Sequence, residues 1–449
     1  LLNSLLAAAG GFTLLLPLWA GPLCHALAGG PDAVLDLGPR LGPLLAALIL
    51  FAVPSVLMGV ASPFAVRLLA RDVAGVGGVA GRLYAIGTLG SIAGTLVTAF
   101  WLIPLFGTAS ILIGIGVLLM LTAAVTLPLG RSAAMLLAAT LLLAVISLTT
   151  APPDLRAQPA KGRFALIEAR DSAYTHMSVE HHLYPTRTRG EVPIAAFLRF
   201  GKHTQGAIFI NDWQRRGREH WSAAPYTDLF HLARLFSEDM QRVLFIGGGV
   251  GVGPRSFRRN YPEAHIDLVE IDPVVVEMGR KHFFLEPDEQ LQVHIDDGRA
   301  FLRRHPDRQW DVIILDAFTI GGRLPFHLMT REFLEAVEAH LAPGGVLLTN
   351  LNSALAGEKG RIFRAQYLTY RAVFPSVYVF PRYGPWETPE ASEATWAQPR
   401  NIFLAATREP TPRTKAELVA SAAQFWGELG RPPHQREDTE LFFLYHHAA

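Results

Sequence analysis

Charge is almost absent from the first third of this chain. Residues 1–150 hold five Arg, three Asp, no Lys and no Glu, and the other 299 residues carry the remaining 71 of 79 charged side chains. That second density, about 24%, is ordinary for a soluble domain, and the first is not. A wholly water-soluble fold needs polar groups over its whole surface, so that reading is excluded. A disordered chain and a disulfide scaffold are excluded too, Cys24 being the single cysteine. With a net charge of +1 the chain has no field to gather phosphates, so nucleic acid is not an expected partner.

Five apolar runs fill the poor region, at 5–28, 41–66, 83–105, 107–129 and 132–150. Each approaches the roughly 20 residues a helix needs to cross a bilayer. One such run would suit a buried core helix or a signal peptide; five in succession predict an α-helical transmembrane bundle with the lipid bilayer as partner. Pro17 and Pro22 interrupt the first run, and the chain begins without Met inside it, so earlier spans are expected. Gly90 and Gly94 form a GxxxG spacing, read as helix packing. Runs two to five contain no Lys, Glu or His, which argues against a proton relay or coupled transporter. Arg67, Arg71 and Arg82 lie between runs two and three, and Arg131 between runs four and five, so the charge rule puts both loops in the cytoplasm. Counted forward through five spans, residues after 150 emerge on the far side, a placement that a re-entrant segment would reverse.

Residues 151–163, rich in Pro, read as a linker. Short alternating segments at 164–169, 174–181, 195–200 and 206–210 predict a small antiparallel β domain over 164–222. A helix is expected over 223–236. From 242 onward, strands at 242–246, 265–271, 291–295, 310–315 and 345–351 alternate with helices around 253–260, 273–283, 298–305 and 330–342. This is the pattern of a parallel sheet covered on both faces, an α/β Rossmann-like domain spanning 223–449. Strands at 377–380 and 401–406 and a helix at 414–429 complete it.

The first of these strands runs into Gly247, Gly248, Gly249, Val250 and Gly251, a turn that lets a ligand approach backbone N–H groups at a helix start. Glu270 ends the next strand, 19 residues past Gly251, where an acid can accept both ribose hydroxyls of a nucleoside. Asp297 and Gly298 follow the third strand, within reach of an adenine amino group, and Asp316 ends the fourth. His327 lies near the Asp316 loop and is a candidate on the acceptor side. The adjacent pairs His181-His182 and His446-His447 lack metal-ligand spacing, so no metal is expected. The loop Asn211–Trp221 is read as covering the substrate mouth.

These residues resemble a known family. Gly247–Gly251, Val269–Pro273, Asp297-Gly298 and Asp311–Asp316 are similar to the spermidine synthase (polyamine aminopropyltransferase) domain, over about 164–382. That domain has a class I methyltransferase-type fold preceded by a small β domain. Leu57–Pro63, Gly81–Gly90 and Pro325–Thr330 are similar to its membrane-fused bacterial branch, which implies a multi-pass protein of a bacterial-type inner membrane with the soluble part in the cytoplasm. The resemblance implies decarboxylated S-adenosylmethionine as co-substrate and putrescine or another small amine as acceptor, with methylthioadenosine as product. Glu270 would bind ribose, Asp297 adenine, and Asp316 the attacking amine, with Tyr226 and Asp228 beside it. His176, in Ser172–His176, and Gln214 match substrate-side motifs, and a homodimer is a further expectation.

Two departures stand out. Val250 occupies the position of the Asp that holds the donor's ammonium, and residues 317–324 lack the second acid that follows the Asp316 position. An alkylamine with a pKa of about 10.4 is protonated at pH 7, and freeing its lone pair costs roughly 4–5 kcal/mol, so a site with fewer carboxylates suits a dication poorly. Three other readings stay open: a methyltransferase using intact S-adenosylmethionine, a non-catalytic nucleoside-binding sensor or scaffold in the membrane, and, with less support, a nicotinamide dehydrogenase.

Overall fold

The computed structural model describes residues 2–27, 38–70, 72–73, 75–125, 130–186 except 151–163, 190–201, 203–211, 222–237, 240–319, 321–382 and 396–428. The expected linker 151–163, Gln214 and His446-His447 lie outside the described residues. The chain divides into two units: Leu1–Pro159 with Ala169–His176, and Ala160–Glu168 with Met177–Ala449.

The first unit contains helices α1 (Leu2–Leu27), α2 (Gly38–Leu69), α3 (Val76–Val97), α4 (Ile103–Val125) and α5 (Arg131–Thr150). Among the described residues four helices are long and apolar enough to cross a membrane. The fifth, α5, is apolar throughout its described stretch, Ser132–Ser147. The boundary expected between runs three and four, after residue 105, is present as a break at Gly107. A π-helical segment, Thr98–Leu102, joins α3 to α4, and the break at Gly107 has φ 72° and ψ 162°. Gly tolerates that conformation because it has no Cβ. The break is capped from outside the helix. The Asp171 carboxylate accepts hydrogen bonds from the Thr108 backbone N–H (2.8 Å) and hydroxyl (3.1 Å), satisfying a donor that the interruption frees.

Helix packing corrects one expectation. A Cβ added at Gly90 or Gly94 would meet nothing within 4 Å, so among the described residues the GxxxG stripe touches no other helix. The close approach lies between α1 and α4. A Cβ at Gly10 would come 2.9 Å from the Gly116 carbonyl, and one at Gly116 would come 2.9 Å from that of Gly10. Ser147 of α5 donates to the Leu14 carbonyl of α1 at 2.6 Å, a buried bond between helices.

The second unit holds an antiparallel meander and an α/β sandwich. The meander comprises β1 (Phe164–Asp171), β2 (His176–Thr186), β3 (Gly190–Phe200) and β4 (His203–Phe209), in that order. A 3-10 helix, Pro225–Leu235, stands where an α-helix was expected. Then come β5 (Arg242–Ile246), α6 (Val252–Asn260), β6 (His265–Glu270), α7 (Pro273–His282), β7 (Leu291–Ile295), α8 (Gly298–Arg304) and β8 (Trp310–Leu315). They are followed by α9 (Arg331–Ala339), β9 (Leu341–Ser353), α10 (Arg361–Arg371), β10 (Ser376–Pro381), β11 (Arg400–Thr407) and a closing helix, Lys415–Glu428. Of these, α10 is the helix the sequence reading missed.

The seven strands lie in the order β10-β11-β9-β8-β5-β6-β7. The five from β5 to β9 are parallel, and β11 is antiparallel to both β9 and β10. β5 is central because the chain winds outward to β7 and then returns to place β8 on its other side. That reversal makes a switch point between β5 and β8, where open α/β sheets bind ligands. The period of two sorts the side chains into two cores. Val243 and Phe245 face a cluster with Phe230 and Phe257, whereas Leu244 and Ile246 face one with Phe301 and Trp310. Each buried Phe contributes about 1.5–3 kcal/mol, so the sheet that carries the site is held from both sides.

Candidate functional site

The candidate site gathers at the carboxyl ends of β5, β6 and β8. The glycine loop leaves β5 through three left-handed residues, Gly247 (φ 69°), Gly249 (φ 53°) and Gly251 (φ 81°). Gly247 must be Gly on a second count: a Cβ there would come 2.6 Å from the Ala317 Cα, which is backbone and cannot give way. At Gly249 a Cβ would make ordinary contact with the Gln205 carbonyl at 3.5 Å, so only its left-handed φ calls for glycine.

Glu270 closes β6 buried, its Oε1 accepting from the Asp272 N–H at 3.1 Å. The Gly248 and Gly249 N–H groups also hydrogen-bond to its carboxylate. Burial, aided by the charge of Asp272, pushes its carboxyl up to about 7. Asp316 follows β8, and its N–H donates to the Ile246 carbonyl at 3.0 Å, which locks it beside the end of β5. Its Oδ1 accepts from Asn350 Nδ2 at 2.9 Å, and Asn350 Oδ1 in turn accepts from Asn401 Nδ2 at 3.0 Å. Burial chiefly, and then the charge of Glu270, push the Asp316 carboxyl up to about 7. Asp316 therefore ionises at an added cost once Glu270 is charged.

Tyr226 sits in the 3-10 helix, its hydroxyl donating to the Gln205 carbonyl of β4 at 3.1 Å. Burial and the Asp316 charge raise its phenol well above the ordinary value. Asp228, two residues on, is buried. A cavity of about 400 Å³ opens here, lined by Tyr226, Gln205, Asn350, Asn401, Asn352 and His203 among others.

The structure thus brings Gly247–Gly251, Glu270, Asp316 and Tyr226 to one end of the sheet. It ties two others to each other. Asp297 caps α8, accepting from the Ala300 N–H at 2.9 Å, and its other oxygen lies 3.0 Å from His327 Nε2. His327, expected on the acceptor side, is therefore held by the residue expected at adenine. Gly298 follows because a side chain there would overlap Ile246. His176 falls in the first unit, its Nδ1 donating to Asp171 at 2.5 Å. Val250 is fully buried in an apolar cluster with Val179, Leu198 and Ile208 of the meander.

Sequence reading missed Asn350, Asn352, Asn401 and Gln205. A signal existed for the first two. They are amides spaced by two at the end of an otherwise apolar strand, so both point to one face. Asn401 became visible only through pairing, since it lies opposite Asn352 in the β9–β11 register.

The chain is similar to known proteins. A family model for the spermine/spermidine synthase domain matches residues 224–389. The polyamine aminopropyltransferase of Prochlorococcus marinus (strain MIT 9313) is 30% identical over 237 residues, 51% of this chain and 77% of that protein. The chain belongs to the polyamine aminopropyltransferase family. Its relative from Vibrio vulnificus (strain CMCP6), of the same description, is 37% identical over 158 residues, 35% of this chain and 51% of that protein. The chain thus spans about half the length of that relative. A crystal structure of a probable spermidine synthase from Corynebacterium glutamicum covers 59% of this chain and 87% of its own, at 20% identity and a TM-score of 0.44.

Proposed function

We propose that the chain is a membrane-anchored transferase that moves the aminopropyl group of decarboxylated S-adenosylmethionine to an amine. The observation that carries this reading is the convergence of the left-handed Gly247–Gly251 turn, buried Glu270 and Asp316 on the switch point of the sheet. The donor supplies a sulfonium that makes the neighbouring propyl carbon electrophilic. The protein supplies everything else. The glycine loop admits the nucleoside close to backbone N–H groups, and Glu270 accepts the ribose hydroxyls. Asp297, with His327 against it, stands for the adenine end.

Asp316 orients the amine and takes its proton. A carboxyl raised toward 7 is a better proton acceptor than one at 3.8, which offsets part of the roughly 4–5 kcal/mol needed to free an amine near pH 7. The amine lone pair forms the C–N bond, the C–S bond breaks with its electrons on sulfur, and methylthioadenosine leaves. Tyr226 and Asp228 flank the amine. One observation favours a second reading. Val250 is buried in an apolar cluster and offers no carboxylate to a donor ammonium, which suits methyl transfer from intact S-adenosylmethionine.

Helices α1 to α4, long and apolar enough to cross, anchor the protein in a bacterial-type inner membrane. The donor chemistry puts the soluble unit on the cytoplasmic side, which, with Arg67, Arg82 and Arg131 on that side too, requires a re-entrant segment. Protection of the soluble unit from protease in right-side-out vesicles, and cleavage in inverted ones, tests this.

The enzyme test uses the full chain in detergent with each donor and a panel of amines. Mass spectrometry detecting methylthioadenosine supports aminopropyl transfer, whereas adenosylhomocysteine supports the methyltransferase. Asp316→Asn should eliminate product while methylthioadenosine still binds. If neither product forms with any amine, and Asp316→Asn binds like the parent, the transferase reading gives way to a sensor or scaffold.

A further inference from the structure

The cavity beside Asp316 has an unusual chemistry for an amine site. Its described polar lining consists of neutral groups and one imidazole: Thr204, Gln205, Asn350, Asn352, Asn401, Tyr226 and His203. Among the described residues no carboxylate lines it, and Asp316 stands behind Asn350 at its inner end. The turn after Asp316, the segment from which a second acid is missing, does reach the cavity. It closes through the Thr319 N–H, which donates to the Arg323 carbonyl at 2.9 Å, and it brings Gly322 to the wall. A Cβ on Gly322 would lie 3.1 Å from Asn352 Nδ2 and 3.8 Å from His203 Nδ1. The end of the cavity away from Asp316 is therefore made of an amide, an imidazole and a glycine backbone.

The amides are also oriented. Asp316, when ionised, can only accept, so Asn350 turns its NH2 inward and its oxygen outward, and Asn401 donates to that oxygen. The array both donates and accepts at its outer end. A hydroxyl or carboxamide satisfies such a surface in both directions. An ammonium offers donors alone, and it would give up hydration there with no counter-charge.

We infer that the acceptor is a primary monoamine whose far end carries a neutral hydrogen-bonding group, a hydroxyl or a carboxamide, rather than a dicationic diamine. The inference rests on the aminopropyl-transfer reading. Asp316 takes the single ammonium and relieves it of its proton. Asn352 and His203 meet the neutral end.

The test compares 4-amino-1-butanol with 1,4-diaminobutane, two chains of equal length that differ at one end. The full-length protein in detergent is given decarboxylated S-adenosylmethionine, and methylthioadenosine release is followed. The amino alcohol should be used with a kcat/KM at least tenfold above that of the diamine. Asn352→Asp should shift the ratio toward the diamine by at least tenfold, and His203→Glu should shift it the same way should the first variant fail to fold. A parent enzyme that prefers the diamine, or variants that leave the ratio unchanged, would overturn the acceptor assignment while leaving aminopropyl transfer intact. Absence of methylthioadenosine with every amine would overturn the transfer reading and the acceptor with it.

Discussion

Asn350 and Asp316, 34 residues apart, are joined by a hydrogen bond of 2.9 Å from the Asn350 amide to the Asp316 carboxylate. Asn350 is fully buried, so this donor is not exchangeable with water, and it acts against the burial that raises the carboxyl. The pair sets how readily Asp316 accepts a proton.

Replacing Asn350 by Leu should therefore raise the Asp316 pKa further. A hydrogen bond to a charged group is worth about 1.5–3 kcal/mol, which corresponds to a shift of roughly one to two units. The limb of the pH–rate profile governed by Asp316 should move to higher pH by that amount. An unmoved limb with a lower plateau would mean that Asn350 contributes only packing.

Glu270→Gln tests the nucleoside site and the pH dependence of stability together. Methylthioadenosine affinity, read by calorimetry, should fall at least tenfold, since each ribose hydroxyl bonded to the carboxylate is worth about 1.5–3 kcal/mol. The folded carboxyl titrates at about 7 against an ordinary 4.5, so the folded chain holds a proton that the unfolded chain has released. This contribution is fully present below pH 4.5 and is lost as pH rises through 7. Asp316, raised for the same reason, adds to it. The melting temperature should fall between pH 5 and 7, and Glu270→Gln should flatten that decline.

Gly247→Ala should destabilise the fold rather than only weaken binding. The left-handed φ costs about 1–2 kcal/mol for any other residue, and the new Cβ would press on the Ala317 backbone. A drop in urea midpoint is expected in the absence of ligand. Gly249→Ala, whose Cβ would make only ordinary contact with the Gln205 carbonyl at 3.5 Å, should lose only the conformational part.

Asp171→Asn weakens the cap on the broken helix. His176 chiefly, and the Thr108 N–H, hold the Asp171 carboxyl down at about 2. Its stabilisation is therefore present above pH 3.8 and is lost as pH falls through 2. At neutral pH the variant should cost about 1 kcal/mol, a typical capping value, measured as a lower melting temperature in detergent.

Much of the fold was legible because its signals are local. Charge scarcity marks the helical region within a window of 20 residues or so, and strand–helix alternation marks the parallel sheet. Glu270 could be found from the sequence because the distance from a glycine loop to the end of the next strand is set by one connecting helix. Asp316 was legible for the same reason, as the residue that ends a strand.

What lies across the sheet was not legible. The Asp316–Asn350–Asn401 relay spans separations of 34 and 51 residues, and the bond from Tyr226 to Gln205 spans 21. The cap of Asp171 on Thr108 spans 63. The burial of Val250 against the meander belongs with these. Nothing local in the chain encodes such partners. Strand order and register decide them, and those follow from which apolar faces pack together when the whole chain folds. The sequence by itself determined the elements, the ends of the strands and the groups they carry. Only the tertiary structure decided which amide faces which carboxylate, because a hydrogen bond depends on positions in space that the backbone brings together from distant parts of the chain.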